Sequence, residues 1–164
     1  MEIGSFRDML IAELQELASV EAYLYDELLR MAGAASHPSL KRVLIHHRAE
    51  TETQGDRLAV ILQRHGANPA AHTDQAVQAL IAETRKMLRM LAGDDLRDAG
   101  LVVSIQKIKH YEISAYGTAA ALAGQMDLRD EQKMLHRSLE EEMQMDALLT
   151  RLAKSEVNRD ALAA

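Results

Sequence analysis

The chain has 164 residues, with 25 acids against 19 Lys and Arg, no Cys, no Trp and 3% aromatics. Without cysteine it has no disulfide framework, thiolate metal site, iron–sulfur cluster or cysteine nucleophile. Hydrophobic residues at 48% exclude a disordered chain, and a net charge of −6 disfavours binding to a phosphate backbone.

Helical periodicity runs through the whole chain, and the two prolines, Pro38 and Pro69, fall at its breaks. The first predicted helix covers about Ser5 to Ala32, with Gly33 as its C-cap. The second opens at Ser36-His37-Pro38, with proline in a tolerated first-turn position, and runs to His65-Gly66. Asn68-Pro69 marks a turn. Thr73-Asp74 opens a shorter helix that ends at Gly93. Its apolar face carries Val77, Leu80, Ile81, Thr84, Leu88 and Leu91, which must cover the bundle end or a partner subunit. Asp94-Asp95 starts the next long helix, which reaches Gly124. Asp127 is read as the cap of the last, which continues to about Glu156, with Asn158–Ala164 frayed. The expected fold is all-α: one domain over residues 1–164 with an ordered core of about 5–156, built as a four-helix bundle. Its long crossover carries the fifth, shorter helix. No signal peptide or membrane span is visible, so the expected location is the cytoplasm, with no nucleic-acid or membrane partner.

Phasing each long helix on its apolar seam places acids inside. The first seam reads Leu10, Leu14, Leu17, Glu21, Leu24, Leu28, Met31, and the third Leu101, Ile105, Ile108, Glu112, Ala115, Ala119, Leu122. The second reads Leu40, Val43, His47, Glu50, Gln54, Leu58, Ile61, and the fourth Leu135, Ser138, Glu142, Asp146, Leu149, Leu152. Uncompensated carboxylates in a dry core repel one another, and each costs several kcal/mol of desolvation. Either their pKa values rise or cations neutralise them, as a dinuclear metal site does. The halves also match. Glu21 and Glu50 are 29 residues apart and Glu112 and Glu142 are 30 apart. Tyr25 follows Glu21 and Tyr116 follows Glu112 at a spacing of four, as Gln54 follows Glu50 and Asp146 follows Glu142.

The stretches HRAETETQGDRL, IQKIKHYEISAYGTAAAL and SLEEEMQMDALL resemble the YciF-like bacterial stress-response family of the ferritin-like superfamily. The resemblance spans nearly the whole chain. It implies a ferritin-like bundle, a homodimer, and a dimetal centre of two iron ions; the oxygen-only donors Gln54 and Asp146 also admit manganese and even magnesium. The ligands it implies are Glu21, Glu50, Gln54, Glu112, Glu142 and Asp146. No reaction is established for the family. The Glu-x-x-His pattern of better-known di-iron bundles is absent, because Thr53 and Met145 stand at the third position after Glu50 and Glu142.

Other residues carry weaker readings. His47 reads either as a partner orienting a carboxylate or as an ordinary seam-edge histidine, with direct ligation ranked below both. His46 and His110 point away from the seams. Tyr25 and Tyr116 can donate hydrogen bonds to the site, although packing is their commoner role. Glu140 and Glu141 are read as a solvated face, with only Glu142 in phase. Gly55 and Gly117 lie inside helices beside site positions, where they would permit close helix approach or a bulge. Three functions stand side by side. The first is a dimetal carboxylate protein that reacts with oxygen or peroxide under stress. The second is a non-enzymatic stress or scaffold protein whose metal is structural or absent. The third is a storage cage, for which the sequence offers no assembly signal.

Overall fold

The computed structural model describes residues 3–164. Its elements are α1 (Phe6–Ala34), α2 (Pro38–Arg64), α3 (Gln75–Met90), α4 (Asp94–Gln125), α5 (Arg129–Leu152), a π-helical turn (Ala153–Val157) and α6 (Asn158–Ala163). Among the described residues there is no strand.

Capping chemistry sets the starts of the first three helices. Ser5 Oγ accepts the Asp8 amide at 3.1 Å and starts α1. Pro38 occupies the first turn of α2, and the preceding Ser36 and His37 amides donate to the buried Asp98 carboxylate of α4 at 2.9 and 2.7 Å. Asp74 Oδ1 accepts the Val77 amide at 2.7 Å and starts α3. Gly66 (φ 66°) and Gly93 (φ 83°) take left-handed conformations at the end of α2 and the start of α4, where a side chain would strain the backbone.

The apolar seams then pack into two aliphatic clusters. One joins the C-terminal half of α1, the N-terminal halves of α2 and α4, the C-terminal half of α5, and α3. The other joins the opposite halves, with Leu10, Leu14, Leu58, Ile61, Ala119 and Leu135 among its members. These shared ends fix the helix directions: α1 runs with α5, and α2 runs with α4. Two helices parallel in this way cannot be joined by a short turn. The connection from α2 to α4 therefore returns along the bundle, and α3 travels with it. This is the long crossover expected of a ferritin-like bundle. The α1–α2 and α4–α5 hairpins pack side by side, α1 against α4 and α2 against α5.

Several features differ from the sequence reading. Gly33 lies inside α1, whose cap is Ala35. Asp127 does not cap α5. It adopts φ 55° two residues before that helix, whose N-cap is Leu128 without a side-chain hydrogen bond. The crossover helix covers the flank of α4 and α1, not the bundle end, because Val77 and Ile81 join the first cluster. The Glu27 carboxylate clamps it to α1 through Arg85 Nε at 3.0 Å. The C-terminal segment is helical rather than frayed. A π-helical turn, one residue wider than an α-turn, brings Ala153 and Val157 against the core, with Val157 1% exposed. His37 reaches Glu156 and Asp160 at 3.5 and 3.7 Å and ties this tail to the α1–α2 corner.

Candidate metal centre

Between the two aliphatic clusters lies a polar layer. Glu21 of α1, His47, Thr51 and Gln54 of α2, Lys109, Glu112 and Tyr116 of α4, and Ser138 and Glu142 of α5 are each at most 2% exposed. Three of these side chains, His47, Glu112 and Glu142, offer donor atoms that all lie within 4.8 Å of one another. Glu21 lies across from them, and its Oε1 accepts the Tyr116 hydroxyl at 2.5 Å. Packing and hydrogen bonding hold the donors in place. Lys109 Nζ stands 2.5 Å from Glu112 Oε2, one turn away on α4, and donates to Glu142 Oε2 of α5. A bidentate pair between Arg57 and Glu141 flanks the layer at 2.5 and 2.8 Å. Arg57 also donates to Ser138 Oγ at 3.1 Å, which latches α2 to α5.

The electrostatics follow from burial. Desolvation, then the Glu112 and Glu142 charges, push the Glu21 carboxyl well above the ordinary range. Desolvation and Glu142 push Glu112 up to about 8, with Lys109 pulling the other way. Desolvation drives His47 well below its usual value, with Lys109 and then His46 adding to the effect, so its imidazole is neutral. For Lys109 burial opposes the charged form, but Glu112, Glu142 and Glu21 outweigh it and the net shift is upward. Without metal, the charge of the layer is offset by the Lys109 ammonium and by the protons that Glu21 and Glu112 retain.

That arrangement has a pH consequence. Glu112 holds its proton in the fold up to about 8 but loses it in the unfolded chain near the ordinary carboxylate value. Between those limits the native state binds more protons than the unfolded state, so stability falls as pH rises. Chelator-treated protein should therefore melt at a lower temperature at about pH 9 than at about pH 6, and Glu112→Gln should flatten the difference. Equal or rising melting temperatures in the wild type would contradict the assignment.

The donor set suits a cation. Glu21 Oε2, both ring nitrogens of His47, Glu112 Oε1 and Glu142 Oε1 are buried with no hydrogen-bond partner in the protein. Neutral imidazole with carboxylates matches iron or manganese better than an all-oxygen set, which would favour magnesium.

The chain matches, over residues 5–162, the family described as a domain of unknown function, DUF892. It is 33% identical over 162 residues to protein YciF of Escherichia coli K12, covering 98% of each chain. The chain belongs to this family. The crystal structure of the E. coli stress protein YciF superposes with a TM-score of 0.90 at 32% identity, over 95% of this chain and 99% of that one. YcfI of Rhodopseudomonas palustris gives a TM-score of 0.88 at 28% identity, over 91% and 95%. The XCC3681 protein of Xanthomonas campestris gives 0.78 at 19% identity over 94% and 95%, a likeness of fold alone.

For this YciF-like chain the predicted site residues divide into two groups. Glu21, Gln54, Glu112 and Glu142 lie in the layer, and so does Tyr116. Glu50 and Asp146 sit at its edges, with side chains 25% and 20% exposed. Helical register explains both displacements. On α2 the inward positions run His47, Thr51, Gln54, which moves Glu50 aside to face His46 at 3.3 Å and His47 at 3.9 Å. On α5 they run Ser138, Glu142, Met145, so Asp146 turns out to accept Gln106 Nε2 at 3.2 Å and to meet His110 at 3.6 Å. Gln54 reaches Glu141 with Nε2 at 3.3 Å and leaves its carbonyl oxygen unpartnered.

The pseudo-twofold match of the halves is broken at the tyrosines. Tyr116 is buried on Glu21, whereas Tyr25 is half-buried under the Arg48 guanidinium, 3.6 Å from its ring centre. His47 stands among the donors, not behind them. Glu141 is no solvated residue but the half-buried partner of Arg57. His46 and His110 are exposed, as expected. Lys109 was missed outright. Its signal was available: it lies one turn before Glu112 on the same helix face.

Proposed function

We propose that the polar layer is a carboxylate–histidine metal centre and that this YciF-like protein uses it in the response to oxidative stress. The observation that carries the reading is the set of unpartnered donor atoms of His47, Glu112 and Glu142 gathered at one depth of the bundle. These three side chains would hold the first ion, which we take to be iron or manganese. Glu21 faces the position of a second, with Gln54 beside it in the layer and Glu50 toward the rim. Lys109 already places a positive charge between Glu112 and Glu142. A two-ion centre therefore requires that ammonium to withdraw. When bound, a redox-active ion would supply an electron to oxygen or peroxide.

The chain's own groups prepare that chemistry. Tyr116 fixes the rotamer of Glu21, and Lys109 and burial keep the acids poised between protonated and ligating states. The two aliphatic clusters exclude bulk water on both sides. Metal binding would displace the protons that Glu21 and Glu112 carry, so affinity rises with pH over the range in which the metal-free fold weakens.

One observation favours the second reading, a non-enzymatic stress protein. Lys109 by itself supplies the layer with a cation. Elemental analysis after anaerobic Fe(II) loading, followed by stopped-flow mixing with oxygen or peroxide, separates the two. The metal-centre reading predicts about one ion per chain and oxidation faster than that of free Fe(II). Well under one ion per chain, or oxidation no faster than in solution, supports the structural role. The homodimer and the cytoplasmic setting belong to the same proposal and are tested by solution mass and fractionation.

A further inference from the structure

The buried layer meets the surface at a groove of about 420 Å³ that runs along the outer seam of α1 and α2, and Glu21 and Thr51 both line it. Both are at most 2% exposed, and Glu21 Oε2 and Thr51 Oγ1 have no hydrogen-bond partner in the protein. Glu21 therefore belongs to the groove on one side and to the carboxylate cluster on the other. The walls stay low because the sequence puts small residues there: Ala18, Ala22, Gly55 and Ala59. At Gly55 the missing side chain matters directly, since a Cβ would already lie 3.7 Å from Glu21 Cβ and anything longer would extend over that residue. The mouth is acidic. Asp26, Glu52 and Asp56 line it and are exposed. A larger groove of about 680 Å³ between α1 and α3 differs in kind, because none of its lining residues leaves a buried polar atom unpartnered.

We propose that the α1–α2 groove is the entrance through which divalent cations reach the centre, drawn in by Asp26, Glu52 and Asp56 and handed inward by Glu21. The inference rests on the metal-centre reading. It adds a route and a residue that passes the ion on. Carboxylates at an open mouth concentrate cations by long-range attraction. An unpartnered carboxylate at the floor offers the first inner contact. The small residues leave room for an ion that still carries part of its water shell.

The test is Co(II) uptake by the full chain, followed by visible absorbance after rapid mixing at low ionic strength. Glu52→Lys/Asp56→Lys changes only exposed residues outside the cluster. It should slow uptake by about tenfold, with the difference shrinking as salt screens the mouth. A control of equal charge change on other faces, Glu83→Lys/Glu140→Lys, should load near the wild-type rate. Ala22→Leu, which fills the groove without altering charge, should slow uptake at every salt concentration. The final Co(II) content should equal that of the wild type in all three. Wild-type rates in both groove variants, with normal final content, would overturn the entrance while leaving the metal centre intact. A wild type that takes up no Co(II), Mn(II) or Fe(II) at equilibrium would overturn both.

Discussion

Replacing Lys109 with methionine is expected to destabilise the metal-free protein by about 3–5 kcal/mol, the usual effect of removing one partner from a buried ion pair. Lys109 is fully buried between Glu112 and Glu142, and the cation at the layer's flank, Arg57, is already paired with Glu141. Methionine keeps most of the stem's packing, so the loss reports the charge. The carboxylates left behind must take up protons, and the penalty should therefore grow with pH. Urea unfolding in chelator measures it. The same variant should bind metal more readily, because the ammonium that competes for Glu112 and Glu142 is gone. Added Mn(II) at about a hundredfold its dissociation constant should return roughly 2.7 kcal/mol. Its content should rise from one ion per chain toward two. A variant as stable as the wild type in chelator would show that Lys109 is not the layer's internal counter-ion.

The second large effect separates the acids. Glu142→Ala removes a donor of the His47–Glu112–Glu142 group and also strips Lys109 of a partner. Metal affinity should fall at least about 100-fold, more than the loss of an orienting neighbour produces. Glu50→Ala and Asp146→Ala remove carboxylates at the edges of the layer, engaged by His46 and by Gln106 and His110. Each should change affinity by no more than severalfold. Competition with a coloured chelator reads all three. Loss of metal in Asp146→Ala with retention in Glu142→Ala would invert the assignment.

These contrasts show which parts of the molecule were legible in the sequence. The bundle and its crossover were, because the seams of α1 and α4 keep inward spacings of three and four from Leu10 to Met31 and from Leu101 to Leu122. Glu21, Glu112 and Glu142 were legible for the same reason, since each interrupts an aliphatic stripe. Glu50 and Asp146 were overread. Adjacent positions compete for the inward direction, and periodicity alone does not choose between Glu50 and Thr51, or between Asp146 and Met145. Tertiary contact chose Thr51 and Met145, leaving the acids to partners at the edge of the layer. Lys109 was lost to expectation: a lysine inside a seam reads as a phasing error until three carboxylates are known to surround it. The C-terminal π-helical turn was hidden as well, because Val157 belongs to the core only after the helix widens by one residue per turn. His47 lay in the seam from the start, but its rank among the donors depended on neighbours from α4 and α5 that no local pattern reveals.

The most direct measurement is an anomalous-scattering map from crystals of protein loaded with Mn(II) or, without oxygen, with Fe(II). A peak within bonding distance of His47, Glu112 and Glu142 is the predicted result. No peak in the polar layer, or one at the Asp146–His110 rim instead, would contradict it.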